Sequence, residues 1–304
     1  MHPQARAFLD FVGEVPALDS QTTRQNRSDS RRLVAALSGE PAAVHQVVDT
    51  EVHTEQGNVA LRVYRPSERD GLPVVVYFHG GGWVLGDLDL CDNTCRALCS
   101  DSGTVVVSVD YRKAPEHPFP AAYDDALAIT ESLLDGTSGL RIDPDRVAVA
   151  GDSAGGNLAA AVALALRNRP GLRHQALVYP VTQIVVGSTQ SYLDFADGYF
   201  LTARDMQYLL KLYAPDADPG DARLAPLSAS DLTSVPPATV VLAECDPLHD
   251  EGEQYAARLA EAGVPVTVHL FEGQVHPFIH FDGLVDAAHA ARRVLAEALA
   301  EALR

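Results

Sequence analysis

The chain has 304 residues and a mass of 32.5 kDa, with 47% hydrophobic and 21% charged residues, a balance that suits a packed globular protein with a sizeable core. Lys plus Arg number 23 against 41 Asp plus Glu, a net charge of −18 with no basic cluster to offset it, which excludes phosphate backbones and anionic lipid as partners. The longest purely apolar run, Leu158–Leu166, is too short for a membrane span of ~20 residues, and the N-terminus lacks the basic and apolar stretches of a signal peptide. A cytoplasmic protein is the expectation.

In chain order, Phe8, Phe11, Val12 and Val15 form one short helical stripe and Leu33, Val34 and Leu37 a second. The polar stretch Asp19–Arg32 between them reads as a mobile joint. Residues 1–45 are therefore expected to cover something rather than to build a core. From about Val47 the texture changes. Val59–Tyr64 alternates like a half-exposed strand, and Val74–Phe78, Thr104–Val109, Val147–Val149, Ala176–Tyr179, Thr239–Leu242 and Val264–Phe271 are β-branched runs suited to strands buried on both faces. Helical patterns separate most of them: Leu88–Cys99, Ala121–Leu134, Leu158–Leu166, Glu251–Ala262 and Leu284–Leu303. This alternation implies an α/β fold with a mostly parallel sheet flanked by helices. Residues 182–235 are too long for a simple crossover and read as a helical insertion. Cys91, Cys95 and Cys99 fall on one helix face but match no metal-ligand spacing, so they are expected to pack in the core, as is Cys245.

Gly151-Asp152-Ser153-Ala154-Gly155-Gly156 lies between a strand and a helix, the context of a nucleophile elbow in which Ser153 projects from a sharp turn. Side chains at the flanking glycines would meet neighbouring backbone, and the helix N-terminus offers unpaired N–H groups to a developing oxyanion. His79-Gly80-Gly81-Gly82-Trp83 follows another buried strand, and its glycines let amides turn towards a ligand. The amides of Gly81, Gly82 and Ala154 are the oxyanion-hole candidates, and His79 is read as a residue that orients the loop.

With these two motifs the chain closely resembles the hormone-sensitive-lipase-like (bacterial family IV) carboxylesterases of the α/β-hydrolase fold. Tyr111–Ala122 (YRKAPEHPFPAA) and Ala243–Gly252 (AECDPLHDEG) are similar to two further motifs of that family, so the resemblance runs from about Phe8 to the C-terminus. It implies an eight-stranded sheet, a catalytic domain over residues 46–304, and a helical cap built from residues 1–45 and the insertion at about 182–235. It also implies hydrolysis of short- to medium-chain esters, a small-molecule ester as the partner, no metal or organic cofactor, and a homodimer.

The fold's chain order, nucleophile then acid then histidine, makes Asp246 the acid and His276 the base. Asp250 and Asp282 are alternative acids; His249, His269, His280 and His289 are alternative bases, with His280 the closest competitor. The family carries glycine after its histidine, whereas Pro277 stands here, which fixes φ and biases His276 towards extended backbone. Either the loop already has that shape or the imidazole is displaced. Asp152 and Glu116 are expected to hold the elbow and the glycine loop by hydrogen bonds. Trp83, Tyr199, Phe200 and Leu201 are candidates for the substrate pocket. Cleavage of amides by the same residues, or ligand binding without catalysis, are the alternative activities.

Overall fold

The valine-rich runs form strands of a single sheet in the computed structural model, which describes every residue except Glu14 and Gln56. Two helices come first, α1 (Pro3–Val12) and α2 (Thr23–Leu37), followed by the antiparallel strands β1 (Gln46–Thr54) and β2 (Gly57–Arg65). Strands and helices then alternate: β3 (Leu72–Phe78), α3 (Asp92–Ser102), β4 (Val105–Asp110), α4 (Ala121–Leu134), β5 (Ile142–Asp152), α5 (Ala154–Ala165) and β6 (Leu172–Val178). After α6 (Gln190–Asp194) and α7 (Ala203–Tyr213), the chain closes with β7 (Ala238–Cys245), α8 (His249–Glu261), β8 (Val266–Val275) and α9 (Asp286–Ala302).

Among the described residues the sheet has eight strands in the order β1-β2-β4-β3-β5-β6-β7-β8. β2 is antiparallel to β1 and to β4, whereas the pairs β4-β3, β3-β5, β5-β6, β6-β7 and β7-β8 are all parallel. The period-2 geometry of a strand splits its apolar side chains between two cores. Val74, Val76 and Phe78 join Val105, Val107, Val147 and Val149 beneath α4, α5 and α8, while Val75 and Tyr77 join Val106, Ala148, Val178 and Val241 beneath α3 and α9. Because both faces are covered, these strands show no polar alternation. The α5 helix is buried from Ala154 through Leu164, which is why its sequence is apolar all round.

Two features differ from the sequence expectations. The β1 strand escapes a reading by apolar runs because it lies at the sheet edge and carries Asp49, Glu51 and His53. The polar stretch 19–32 is mostly the first part of α2, not a mobile joint. Thr22 caps that helix by accepting from the Gln25 N–H at 3.2 Å, and the buried Asn26 donates to the Leu18 carbonyl at 2.9 Å. Its polar residues are engaged in specific hydrogen bonds, which hydrophobic periodicity does not register.

The four cysteines are free and buried; Cys91, Cys95 and Cys99 pack with Leu98 beneath the sheet, with the Cys91 Sγ 3.2 Å from the Ser108 Oγ. Among the described residues no helix is long and apolar enough to cross a membrane.

Candidate active site

The β5 strand delivers Ser153 to the carboxyl end of the parallel sheet, where ligands of such folds are bound. Ser153 has φ 57° and ψ −119°, a conformation few non-glycine residues adopt, and α5 starts at the next residue. The turn is held by the Ser153 N–H, which donates to the Val178 carbonyl at 2.9 Å. Its tightness requires glycine on either side. A Cβ at Gly151 would lie 2.7 Å from the Phe78 carbonyl oxygen, and one at Gly155 would lie 2.6 Å from the His79 carbonyl oxygen and closer still to that of Phe78.

Asp246 follows β7 and His276 follows β8, so both reach the same sheet end. The His276 Nδ1 lies 2.7 Å from the Asp246 Oδ2 and its Nε2 lies 3.0 Å from the Ser153 Oγ. The other Asp246 oxygen accepts from the Leu248 N–H at 2.9 Å, which fixes the carboxylate plane. Pro277 does not displace the imidazole from this line. The Tyr179 ring packs on it with centroids 4.3 Å apart. In the sequence Tyr179 and Asn157 read as plain strand and helix residues, and the signal that marks them is their position just beyond a buried strand end and one turn after Ser153. Asn157 donates its amide to the carbonyls of both Val181 and Leu224, at 2.9 and 2.8 Å.

Gly81 (φ 109°) and Gly82 (φ 60°) turn the loop after β3, and the amides of Gly81, Gly82 and Ala154 find no backbone acceptor among the described residues. α7 packs over this loop: a Cβ at Gly82 would lie 2.5 Å from the Leu209 Cδ1, and Trp83 is fully buried with its ring stacked on Tyr213 at 4.5 Å. Ser153 and His276 are only 6% and 4% exposed, so the site is nearly enclosed. Phe200 packs edge-on against Phe8 and Phe281, Tyr199 against Phe195, and Leu201 against the larger core.

His79 is neutral at pH 7, because burial and the nearby Lys113 push its pKa down to about 4. Its Nδ1 hydrogen-bonds the Gly80 carbonyl at 2.7 Å, and its ring stacks on Tyr111 at 4.3 Å, with the Tyr111 hydroxyl donating to the His79 carbonyl. Asp152 accepts from the Tyr77 hydroxyl at 2.9 Å, the Gly80 N–H at 3.1 Å and the His280 Nε2 at 2.8 Å. Burial alone would raise the Asp152 pKa, but the neighbouring His280 and the hydrogen bonds from His280 and Tyr77 outweigh it and hold it below the usual carboxylate range.

Glu116 corrects the expectation. Its side chain is 55% exposed and pairs with Arg27 of α2 at 2.7 Å instead of touching the elbow, and that hydrogen bond lowers its pKa to about 2. Arg27 is the residue that reaches the glycine loop, donating to the Val84 carbonyl at 2.8 Å and the Ala114 carbonyl at 2.9 Å.

The alternative acids and bases are engaged elsewhere. Asp250 accepts from the Ser191 N–H, Asp282 pairs with Arg292 at 2.8 Å, His249 and His289 bond the Ala243 and Asp282 carbonyls, and His269 lies within β8. His280 binds Asp152. A further buried carboxylate, Glu251 of α8, accepts from the Thr182 N–H and the Gln183 Nε2, both at 2.8 Å, where the chain enters residues 182–235. Among the described residues no group of three or more His, Cys, Asp or Glu is placed to share a metal ion.

A hydroxyl, an imidazole and a carboxylate in line, next to three unengaged amides, suit acyl transfer through a serine nucleophile. Residues 75–280 match the family model described as the alpha/beta hydrolase fold. The chain is 40% identical to the carboxylic ester hydrolase LipN of Mycobacterium tuberculosis, over 90% of this chain and 75% of that protein. It is 35% identical to an ethyl acetate hydrolase of Pseudomonas putida, over 100% and 99% of the two chains. Among solved structures, a thermostable esterase from Pseudomonas putida superposes with a TM-score of 0.94 at 36% identity, over 100% of this chain and 98% of that one.

Proposed function

The chain belongs to the hormone-sensitive-lipase-like carboxylesterases of the α/β-hydrolase fold, and on that premise we propose that it hydrolyses short- to medium-chain carboxylic esters through Ser153, His276 and Asp246. The observation that carries this reading is the unbroken hydrogen-bonded line from the Asp246 Oδ2 through His276 to the Ser153 Oγ, at 2.7 and 3.0 Å. Ser153 attacks the ester carbonyl while the His276 Nε2 takes its proton, and Asp246 holds the Nδ1–H tautomer and stabilises the imidazolium that forms. The amides of Gly81, Gly82 and Ala154 receive the oxyanion at the positive end of α5. His276 returns the proton to the leaving alkoxide, and water, deprotonated by the same imidazole, releases the acid from Ser153. His79 and Asp152 hold the loops that carry the donors. The enclosed site beneath α7 supports a preference for small acyl groups, with residues 1–45 and about 182–235 acting as the cap and Trp83, Tyr199, Phe200 and Leu201 among its lining candidates. We further propose a cytoplasmic homodimer, whose pairing is supported by the apolar Val268 and Leu270 exposed on the edge strand β8.

A p-nitrophenyl ester series from acetate to palmitate, run with wild type and S153A, tests the proposal. Turnover that peaks at short or medium chains and vanishes in folded S153A supports it, whereas activity surviving in S153A refutes it. Labelling of wild type by a fluorophosphonate separates an esterase from a binding protein, and an anilide counterpart separates ester from amide cleavage.

A further inference from the structure

We propose that His280 is a positioning residue for the oxyanion loop, acting through Asp152; the inference rests on the esterase reading above. The loop after β8 grips the serine turn twice. Its first histidine meets the Ser153 hydroxyl, and His280, in the short helical turn Phe278–His280, meets the carboxylate of the residue just before Ser153. That turn is fixed from behind by Arg292 of α9, which donates to the Ile279 carbonyl at 2.7 Å while its own charge is met by Asp282.

Asp152 joins three parts of the site. Its Oδ1 accepts from the Gly80 N–H, the residue that opens the turn carrying Gly81 and Gly82, and from Tyr77 at the end of β3; its Oδ2 accepts from His280. A Cβ on Gly80 would lie 3.1 Å from the Asp152 carbonyl oxygen, so the glycine turn and the serine turn touch and cannot shift independently. The carboxylate is fully enclosed, where an uncompensated negative charge acts strongly on its surroundings and opposes the charge that develops on the oxyanion. The other donors to the carboxylate, the Tyr77 hydroxyl and the Gly80 N–H, are neutral and both meet Oδ1, and burial keeps the neighbouring His79 neutral. His280 is the group placed to donate to Oδ2 and to offset the charge. The His280 Nδ1 is buried without a hydrogen-bond partner among the described residues, so its ring contributes polar contact through the Asp152 side alone.

The test is steady-state hydrolysis of p-nitrophenyl butyrate by wild type, S153A, H280L, H280Q, H280N, D152N and H280L/D152N, each checked for cooperative unfolding. Removing the donor by H280L is expected to lower kcat by at least about tenfold with KM within about twofold, because the lost alignment acts on the transition state. H280Q, which keeps an N–H near the Nε2 position, restores most of the loss, and D152N in the H280L background raises kcat by removing the uncompensated carboxylate. A purely structural role would give no rescue by D152N. Should H280L fail to fold, H280N, too short to reach Asp152, takes its place against H280Q. An active wild type with dead S153A and full-speed H280L or H280N overturns this inference alone, as does a loss that neither H280Q nor D152N relieves. A wild type without turnover, or an active S153A, overturns the esterase reading instead.

Discussion

Replacing Glu251 by glutamine should change how stability depends on pH. Burial raises the Glu251 carboxyl from 4.5 to about 8, against the opposing hydrogen bonds from Thr182 and Gln183, with Asp246 adding to the rise. The folded protein therefore keeps a proton over a range in which the unfolded chain has released it. Stability from this group is complete below the unfolded pKa and is lost as pH climbs through the folded value. Each pH unit inside the window removes up to ~1.4 kcal/mol, so moving from pH 5 to pH 8 should cost the wild type about 3 kcal/mol through this residue. Glutamine cannot ionise, and E251Q lacks that slope. Urea unfolding followed by circular dichroism at pH 5, 6, 7 and 8 gives the difference between the two proteins, in which the other titrating groups cancel. The difference should move in favour of E251Q by about 3 kcal/mol across this range. A difference that stays constant with pH would refute the reasoning, whatever its absolute size.

Gly155→Ala places a methyl group into the Phe78 and His79 carbonyls and should destabilise the fold by about 1–3 kcal/mol or more while reducing kcat further than stability alone explains; urea midpoints set beside ester kinetics check both. Arg27→Met leaves the Val84 and Ala114 carbonyls without their guanidinium donor and should cost about 1–3 kcal/mol. Trp83, the single tryptophan, neighbours Val84, so a red-shifted emission in R27M should report loosening of the glycine loop, and an unchanged spectrum with unchanged kcat would show that α2 does not hold it.

Much of the site is legible in the sequence because close backbone packing leaves a residue signature. Gly151 and Gly155 cannot be larger, and the valine runs of β3, β4 and β5 cannot be polar when helices cover both faces. Asp246 and His276 follow from their places after β7 and β8. Distances are not legible in this way. His276 and His280 lie four residues apart on one loop, and only their geometry shows one facing Ser153 and the other Asp152. Glu116 sits inside a motif and still turns away from the elbow, because Arg27, remote in sequence, supplies its partner. The β1 edge strand and the polar face of α2 go unread for a related reason: their contacts are polar, and polar contacts carry no period.

The amide of Asn157 binds the chain at Val181 and again at Leu224. Both ends of the intervening excursion are thus fastened to one side chain, a single turn along the helix from the serine. A tethered loop of this kind behaves as a drawstring bag, since the entropy of closing it grows only slowly as its contents lengthen. Residues 183–223 therefore leave and rejoin the catalytic domain at one point. A change of length between these two points is met first at the Asn157 amide, whereas α7 inside the segment stays bound to the glycine loop through Leu209 and Tyr213.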